Sequence, residues 1–311
     1  MTILSTGPGG GDLAAAVWID VFDPTPAELE EVQKVTGLRV PTRTEVSEIE
    51  ATSRLAFQHG AYYVSTPLVS TAADGTHELT PVGFVLSSRV LLTVRFAALP
   101  GFDAARELWA KDCPASAEDA FLRIFEVIVD RAADKLEHAG ADCDDLARAV
   151  FRRTGSRAAI AAHLNASLRR VGELGDHASR LRDTLLGLGR IGAYVMESGM
   201  QGAPVVSATR MKAIRADVAS LTDYEAHLSG KLQFLLDATL GFINIEQNEI
   251  VKTLTIASVV GIPPVLIAGV YGMNFKVMPE LAWPLGYPMA MVLIVVSGWI
   301  PYQVFKRRGW M

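Results

Sequence analysis

The apolar positions crowd toward the C-terminal end of the chain. From Leu254 to Tyr271 it reads LTIASVVGIPPVLIAGVY, and from Gly286 to Phe305 it reads GYPMAMVLIVVSGWIPYQVF, both without a charge. A membrane span takes about 20 largely apolar residues, so this pattern predicts two spans, the first extended by its flanks. Upstream, a helical pattern runs from about Ser207 directly into the first span, with no proline or paired glycine before Gly261. At 1.5 Å per residue, sixty-odd residues reach about 100 Å. A helix of that length needs partners along it, and a bundle is implied.

The rest of the chain divides by period. Ala15 to Val21 is a β-like run, followed by Asp23-Pro-Thr-Pro and the helical AELEEVQKVTG. Thr25 with Glu28 three residues on is a capping-box pattern, and Pro26 suits the first helical position. A second helix is expected over Arg43–Arg54, and strands over Ala61–Val69, Pro81–Leu86 and Val90–Arg95. Residues 1–100 therefore read as a small α/β domain. The opening MTILSTGPGGGDL reads as a loose leader, with neither the basic start and apolar run of a secretory signal nor the Gly-Lys-Ser/Thr ending of a phosphate loop. Residues 117–199 read as helical throughout: Phe121, Ile124, Phe125, Ile128 and Val129 recur at three and four, and Leu164, Leu168, Val171, Leu174 and Leu181 continue similarly. A break at Ser198–Pro204 precedes the long helix.

Composition narrows the function. Half of the 311 residues are hydrophobic, 20% are charged and the net charge is −5. That excludes a disordered chain and a nucleic-acid binder driven by global positive charge. Cys113 and Cys143 are too few for a disulfide scaffold or a four-ligand zinc site. The six histidines form no helical i, i+4 pair and read as surface or packing residues. Asp142, Asp144 and Asp145 read as a solvated helix start, and Asp130, Asp134 and Glu137 as the wet side of a helix. No nucleophile–base arrangement stands out, so neither an enzyme nor a bound cofactor is expected. Lys306, Arg307 and Arg308 follow the second span. Lys231 and Lys252 precede the first, whereas the segment Phe275–Leu285 between the spans carries only Lys276 and Glu280. The positive-inside rule then places the large N-terminal part and the C-terminus in the cytoplasm.

One face of the long helix carries a distinct pattern. Asp237, Gly241, Asn244, Asn248, Val251, Thr255, Ser258, Ile262 and Val265 follow one another at alternating steps of 4 and 3. That is a heptad seam, which faces a bundle axis. An acid and two amides in it suggest an axis with water and ions. A coiled coil with polar register-setting residues has the same spacing.

Tyr271-Gly272-Met273-Asn274 ends the first span, Met278-Pro279-Glu280-Leu281 follows, and Lys306-Arg-Arg-Gly-Trp310 closes the chain. In these motifs the sequence resembles the CorA family of magnesium transport proteins. The resemblance implies an α/β cytoplasmic domain (1–100), a helical hairpin (101–205), a stalk helix continuing into the first transmembrane helix (206–271), an outer loop (272–285), a second transmembrane helix (286–305) and a basic cytoplasmic tail (306–311). It further implies a funnel-shaped homopentamer in a bacterial inner membrane, both termini cytoplasmic, that conducts Mg²⁺ and possibly Co²⁺ or Ni²⁺. Gly272, Met273, Asn274 and Glu280 would form the pore mouth, with Asn274 meeting the ion through its hydration waters. Asp237 matches the family's acidic ring, Asn248 its amide ring, and Val251 with Leu254 its apolar constriction. Two departures stand out: Val265 where many relatives have a threonine, and Ala213 where well-known relatives carry a regulatory aspartate. Asp217 and Asp223 are the nearest remaining candidates for a regulatory metal. Two alternatives are a zinc transporter of the related ZntB branch, which usually varies the Gly-Met-Asn surroundings, and a membrane-tethered coiled-coil scaffold without transport.

Overall fold

A computed structural model describes residues 3–6, 13–48, 54–71, 76–109, 112–152, 157–197, 202–273, 278–279 and 283–310. Its six strands are β1 (Ile3–Thr6), β2 (Trp18–Phe22), β3 (Leu55–Gln58), β4 (Ala61–Thr71), β5 (His77–Leu86) and β6 (Leu91–Arg95), forming one sheet in the order β1-β2-β6-β5-β4-β3. β2 and β6 run parallel, with Trp18 opposite Leu91 and Phe22 opposite Arg95. Every other neighbouring pair is antiparallel. The helices are α1 (Pro26–Thr36), α2 (Arg43–Ser47), α3 (Pro100–Trp109), α4 (Ala117–Phe151), α5 (Arg157–Glu197), α6 (Ala208–Tyr271) and α7 (Gly286–Arg307).

Local chemistry sets several boundaries. At α1 the expected capping box is complete: the Thr25 hydroxyl accepts from the Glu28 amide, Glu28 accepts from the Thr25 amide at 2.9 Å, and Gly37 ends the helix at φ 70°. A second capping box, Thr42 with Glu45, starts α2. That helix stops at Ser47, where Glu48 turns extended; residues 49–53 of the expected helix lie outside the described residues. The expected loose leader contains β1, whose Ile3 pairs with Val21 and Thr6 with Trp18. The stretch 117–199 is two helices, because Arg152 leaves helical geometry at ψ 105° after α4. Asp142, Asp144 and Asp145 lie inside α4, not at a helix start. There Asp142 pairs with Arg170 at 2.9 Å and Asp144 with Lys231.

Period-two alternation gives the sheet two buried faces. On one, Ile19, Val21, Tyr63, Val85, Leu92 and Val94 pack with Val32 of α1 and the following Leu38 and Val40. On the other, Phe84 meets Phe125, Phe121 and Phe102 at ring separations of 5.4, 6.2 and 6.4 Å. Trp18 stands edge-on to Trp109 at 4.6 Å. Gly187 lets α5 approach β4, since an added Cβ would overlap the Thr66 hydroxyl. The chain separates into two compact units, 1–152 with 166–236, and 153–165 with 237–311.

Within the aromatic layer sits a closed polar chain. The Trp18 indole N–H donates to Thr93 Oγ1 at 3.0 Å, and Thr93 donates to Asp20 Oδ1 at 2.7 Å. Arg95 donates to Asp20 Oδ2 through Nε at 3.0 Å and reaches Asp103 at 3.3 Å. The Asp20 and Arg95 side chains are 2% and 4% exposed. A buried ion pair tolerates loss of one partner poorly, because the other charge is stranded. Asp20→Ala is therefore expected to destabilise the first unit by about 3–5 kcal/mol, and Thr93→Val by about 1 kcal/mol. Apparent melting temperatures from intrinsic fluorescence check this; equal shifts for the two variants contradict it.

Candidate functional site

α6 changes its buried face along its length. Up to Leu235 its apolar side is Met211, Ile214, Val218, Leu228, Leu232 and Leu235, all buried inside the first unit. From Asp237 onward the helix belongs to the second unit, and a different face carries the pattern.

The seam predicted from spacing falls on one side of this segment. At about 100° per residue, Val251, Thr255, Ser258, Ile262 and Val265 cluster within a narrow arc. Val260 and Pro264 lie on the opposite side, and there α7 packs. A Cβ added to Gly298 of α7 would come within 3.3 Å of Pro264 and 3.4 Å of the Val260 carbonyl. The helix runs without interruption through Pro263 and Pro264, and both are half-buried. The seam face is open: Val251, Ile262 and Val265 are 61%, 62% and 71% exposed, and Asp237, Gly241, Asn244, Asn248 and Thr255 are exposed with them, while Ser258 is half-buried. Leu254, beside the seam, is exposed as well.

Thr255 donates its hydroxyl hydrogen to the Val251 carbonyl at 2.8 Å. Its oxygen is therefore left with acceptor capacity only. At the end of the helix the Gly272 amide still bonds the Ala268 carbonyl at 3.0 Å, and Met273 bonds Val270 at 3.3 Å. A side chain at Gly272 would press on the Ala268 carbonyl at 3.2 Å. Crowding there, not a left-handed backbone, is what glycine relieves. Asn274 and Glu280 lie outside the described residues. Among the described residues two helices, α6 and α7, are long and apolar enough to cross a membrane, and Lys306 and Arg307 close the last turn of α7.

Nearer the N-terminus of α6, Ala213 and Asp217 share an exposed face, one turn apart. Asp223 is six residues from Asp217, about 120° around the helix, so these two do not converge. Asp217 instead has an acidic neighbourhood on α4. Burial, followed by the charges of Asp134, Glu126 and Asp217, holds the Asp130 carboxyl above its ordinary range. Sequence pattern alone placed Asp130 on a wet helix side, with no signal of Asp217 87 residues away. Arg210 anchors the same two helices, at 2.7 Å from Asp119 and 2.9 Å from Glu126.

A model of the family described as CorA-like Mg²⁺ transporter protein matches residues 14–307. Proteins called magnesium transport protein CorA from Yersinia pseudotuberculosis and Escherichia coli are each 32% identical to the chain, across 96% of it and 93% of their own length. Among solved structures, the complete CorA magnesium transporter of Methanocaldococcus jannaschii is similar with a TM-score of 0.74 at 20% identity, over 96% of this chain and 92% of that one. The cytoplasmic domain of ZntB from Vibrio parahaemolyticus is similar with a TM-score of 0.51 at 11% identity, over 75% of this chain and 88% of that one. Both structural likenesses concern the fold. The family match runs from the sheet through both apolar helices, and the chain belongs to the CorA-like Mg²⁺ transporter family.

Proposed function

We propose that this chain is the protomer of a homopentameric Mg²⁺ channel in a bacterial inner membrane, with the first unit and the C-terminus in the cytoplasm. The observation that carries the reading is the seam of α6, open in the single chain and turned away from α7. Five such faces would line one pore, and the five α7 helices would form a lipid-facing ring. Tyr287, Val292, Val295 and Trp299 are exposed on α7 and suit that contact.

Mg²⁺ dehydrates reluctantly and usually keeps several waters. Waters bound to a cation point their hydrogens outward, so the lining must supply acceptors. At the mouth, Asn274 carbonyls would take those hydrogens, with Gly272 and Met273 shaping the turn and Glu280 concentrating cations from outside. Thr255 and Ser258 would continue the acceptors inward, and Ile262 and Val265 would interrupt them. Val251 and Leu254 would form the constriction, able to close by dewetting. Asn244, Asn248 and Asp237 would receive the ion at the cytoplasmic end. An inside-negative potential supplies about 4.6 kcal/mol per 100 mV to a divalent ion, twice the single-charge value. Mg²⁺ is then cargo, and no bound cofactor is required. Asp217 is the carboxylate left on the stalk for regulation by cytoplasmic Mg²⁺, with Asp223 on another side.

Asn274→Ala is expected to reduce Mg²⁺ uptake into proteoliposomes to the level of protein-free vesicles while the pentamer survives size-exclusion chromatography. Near-normal flux in an assembled variant removes Asn274 from the pore mouth. Leu254→Gly or Val251→Asn is expected to raise basal leak several-fold, because a less apolar constriction wets more readily; unchanged leak places the gate elsewhere. Because charge count tunes affinity for hard cations, Ala213→Asp is expected to move inhibition by internal Mg²⁺ to lower concentration. Flux measured against internal Mg²⁺ checks this, and superimposable curves for the two proteins reject a regulatory role for position 213.

A further inference from the structure

A crevice in the first unit lies between β4, the start of α3, α4 and α5, far in sequence from the seam. Its volume is about 110 Å³. The inner walls are Leu68, Leu99, Phe102, Ile128 and Leu181, all buried. Arg131 and Lys135, one turn apart on α4, line the same space. They also line a larger bowl beside it, shared with charged residues of both signs such as Asp134, Asp142 and Arg170, so they stand where the apolar crevice meets charged side chains.

Three features of this crevice are unusual. First, the Lys135 ammonium donates to a neutral group, the Val69 carbonyl at 2.7 Å. Second, the charge that most affects it is another cation: burial, then Arg131, hold Lys135 below the ordinary lysine range. Third, Thr184 is 3% exposed, lines the crevice, and its Oγ1 has no hydrogen-bond partner among the described residues. Helical threonines commonly return their hydroxyl to the carbonyl four residues back. Thr36, Thr222, Thr253 and Thr255 do so in this chain; Thr184 does not. A buried unmet hydroxyl and a partly buried ammonium without a bonded carboxylate are costly, and one anion in the crevice would satisfy both, with the exposed Arg131 beside it.

We propose that this crevice binds a small amphiphilic carboxylate. Its head would accept hydrogen bonds from Lys135, Arg131 and Thr184, and its short apolar chain would lie among Leu68, Phe102 and Ile128. An apolar cavity of about 150 Å³ takes a benzene, so this one suits a chain of a few carbons and excludes a phospholipid.

Titration calorimetry on the full-length protein in nanodiscs, with empty nanodiscs subtracted, tests it. Acetate, butyrate, hexanoate and decanoate are the probes. One site per chain is expected, with affinity rising about fourfold per methylene up to hexanoate and no further gain at decanoate. Hexan-1-ol and hexylammonium, which share the tail without the charge, are expected to give only the heat of empty nanodiscs. Lys135→Met should weaken hexanoate binding about tenfold or more, and Thr184→Val several-fold. Hexan-1-ol or hexylammonium binding as tightly as hexanoate overturns the proposal, as does hexanoate heat equal to that of empty nanodiscs. Those comparisons use the unmodified protein, so they decide the matter even if a variant fails to fold. In variants that keep the parent's circular dichroism, unchanged affinity also overturns it.

Discussion

A single helix of 64 residues, α6, constrains everything around it. In proteins a helix, here one of roughly 96 Å, draws most of its stability from the packing of its faces and not from its own hydrogen bonds. Its first half solves this within the chain, by burying Met211, Ile214, Val218, Leu228 and Leu232. Its second half is covered by α7 on one side only. The remaining face carries valine, leucine and isoleucine at more than half exposure beside amides and hydroxyls. Such a mixed face suits neither lipid nor bulk water along its whole length. Copies of itself around a hydrated axis would satisfy both kinds of residue, which is why the proposed function begins from this surface.

The sheet contributes rigidity of a different kind. Its two faces are sealed by different helices, and α4 and α5, which lie over the aromatic face, are the helices that α6 packs against. The polar chain from Trp18 through Thr93 and Asp20 to Arg95 fixes β2 against β6, the one parallel pair. A parallel pair cannot be held by a tight hairpin, so a specific buried link at this join has a clear structural use. Gly187 and Thr66 set how closely α5 can sit on the sheet.

Much of this was legible in the sequence because it repeats or sits locally. The Thr25–Glu28 capping box, the long helix, the apolar spans and the seam all follow from spacings of three or four residues. What escaped depends on distant partners. Ile3–Thr6 has no strand signal strong enough to stand against the glycines after it; β2 makes it a strand. Arg43–Arg54 looked like one helix, yet α2 ends at Ser47 and Glu48 is extended. Asp20 and Arg95 are 75 residues apart, and Asp130 meets the field of Asp217 across two helices. Spacing cannot disclose such pairs. For the candidate site the division is similar: the seam's membership was readable, but its opposition to α7 required the packing of Gly298 on Pro264.

The chemistry of the seam follows from what a hydrated cation presents. Its bound waters have turned their lone pairs to the metal and offer only hydrogens. A wall that donated hydrogen bonds would repel them; a wall of acceptors would replace bulk water at little cost. Thr255 is fixed in that sense, since its own hydrogen is committed to Val251 and only lone pairs remain. Asparagine carbonyls can do the same, with their NH₂ groups turned to neighbouring acceptors. Carboxylates would also accept, but a ring of them deep in the membrane would hold a divalent ion too strongly for it to leave, since conduction needs binding weak enough to release. The sequence follows this logic along α6: its seam carboxylate is Asp237, below the apolar stretch, whereas Thr255 and Ser258 lie within it. Val251, Ile262 and Val265 divide the acceptors into separate stations, so that a proposed ion would move between shallow sites instead of resting in one deep one.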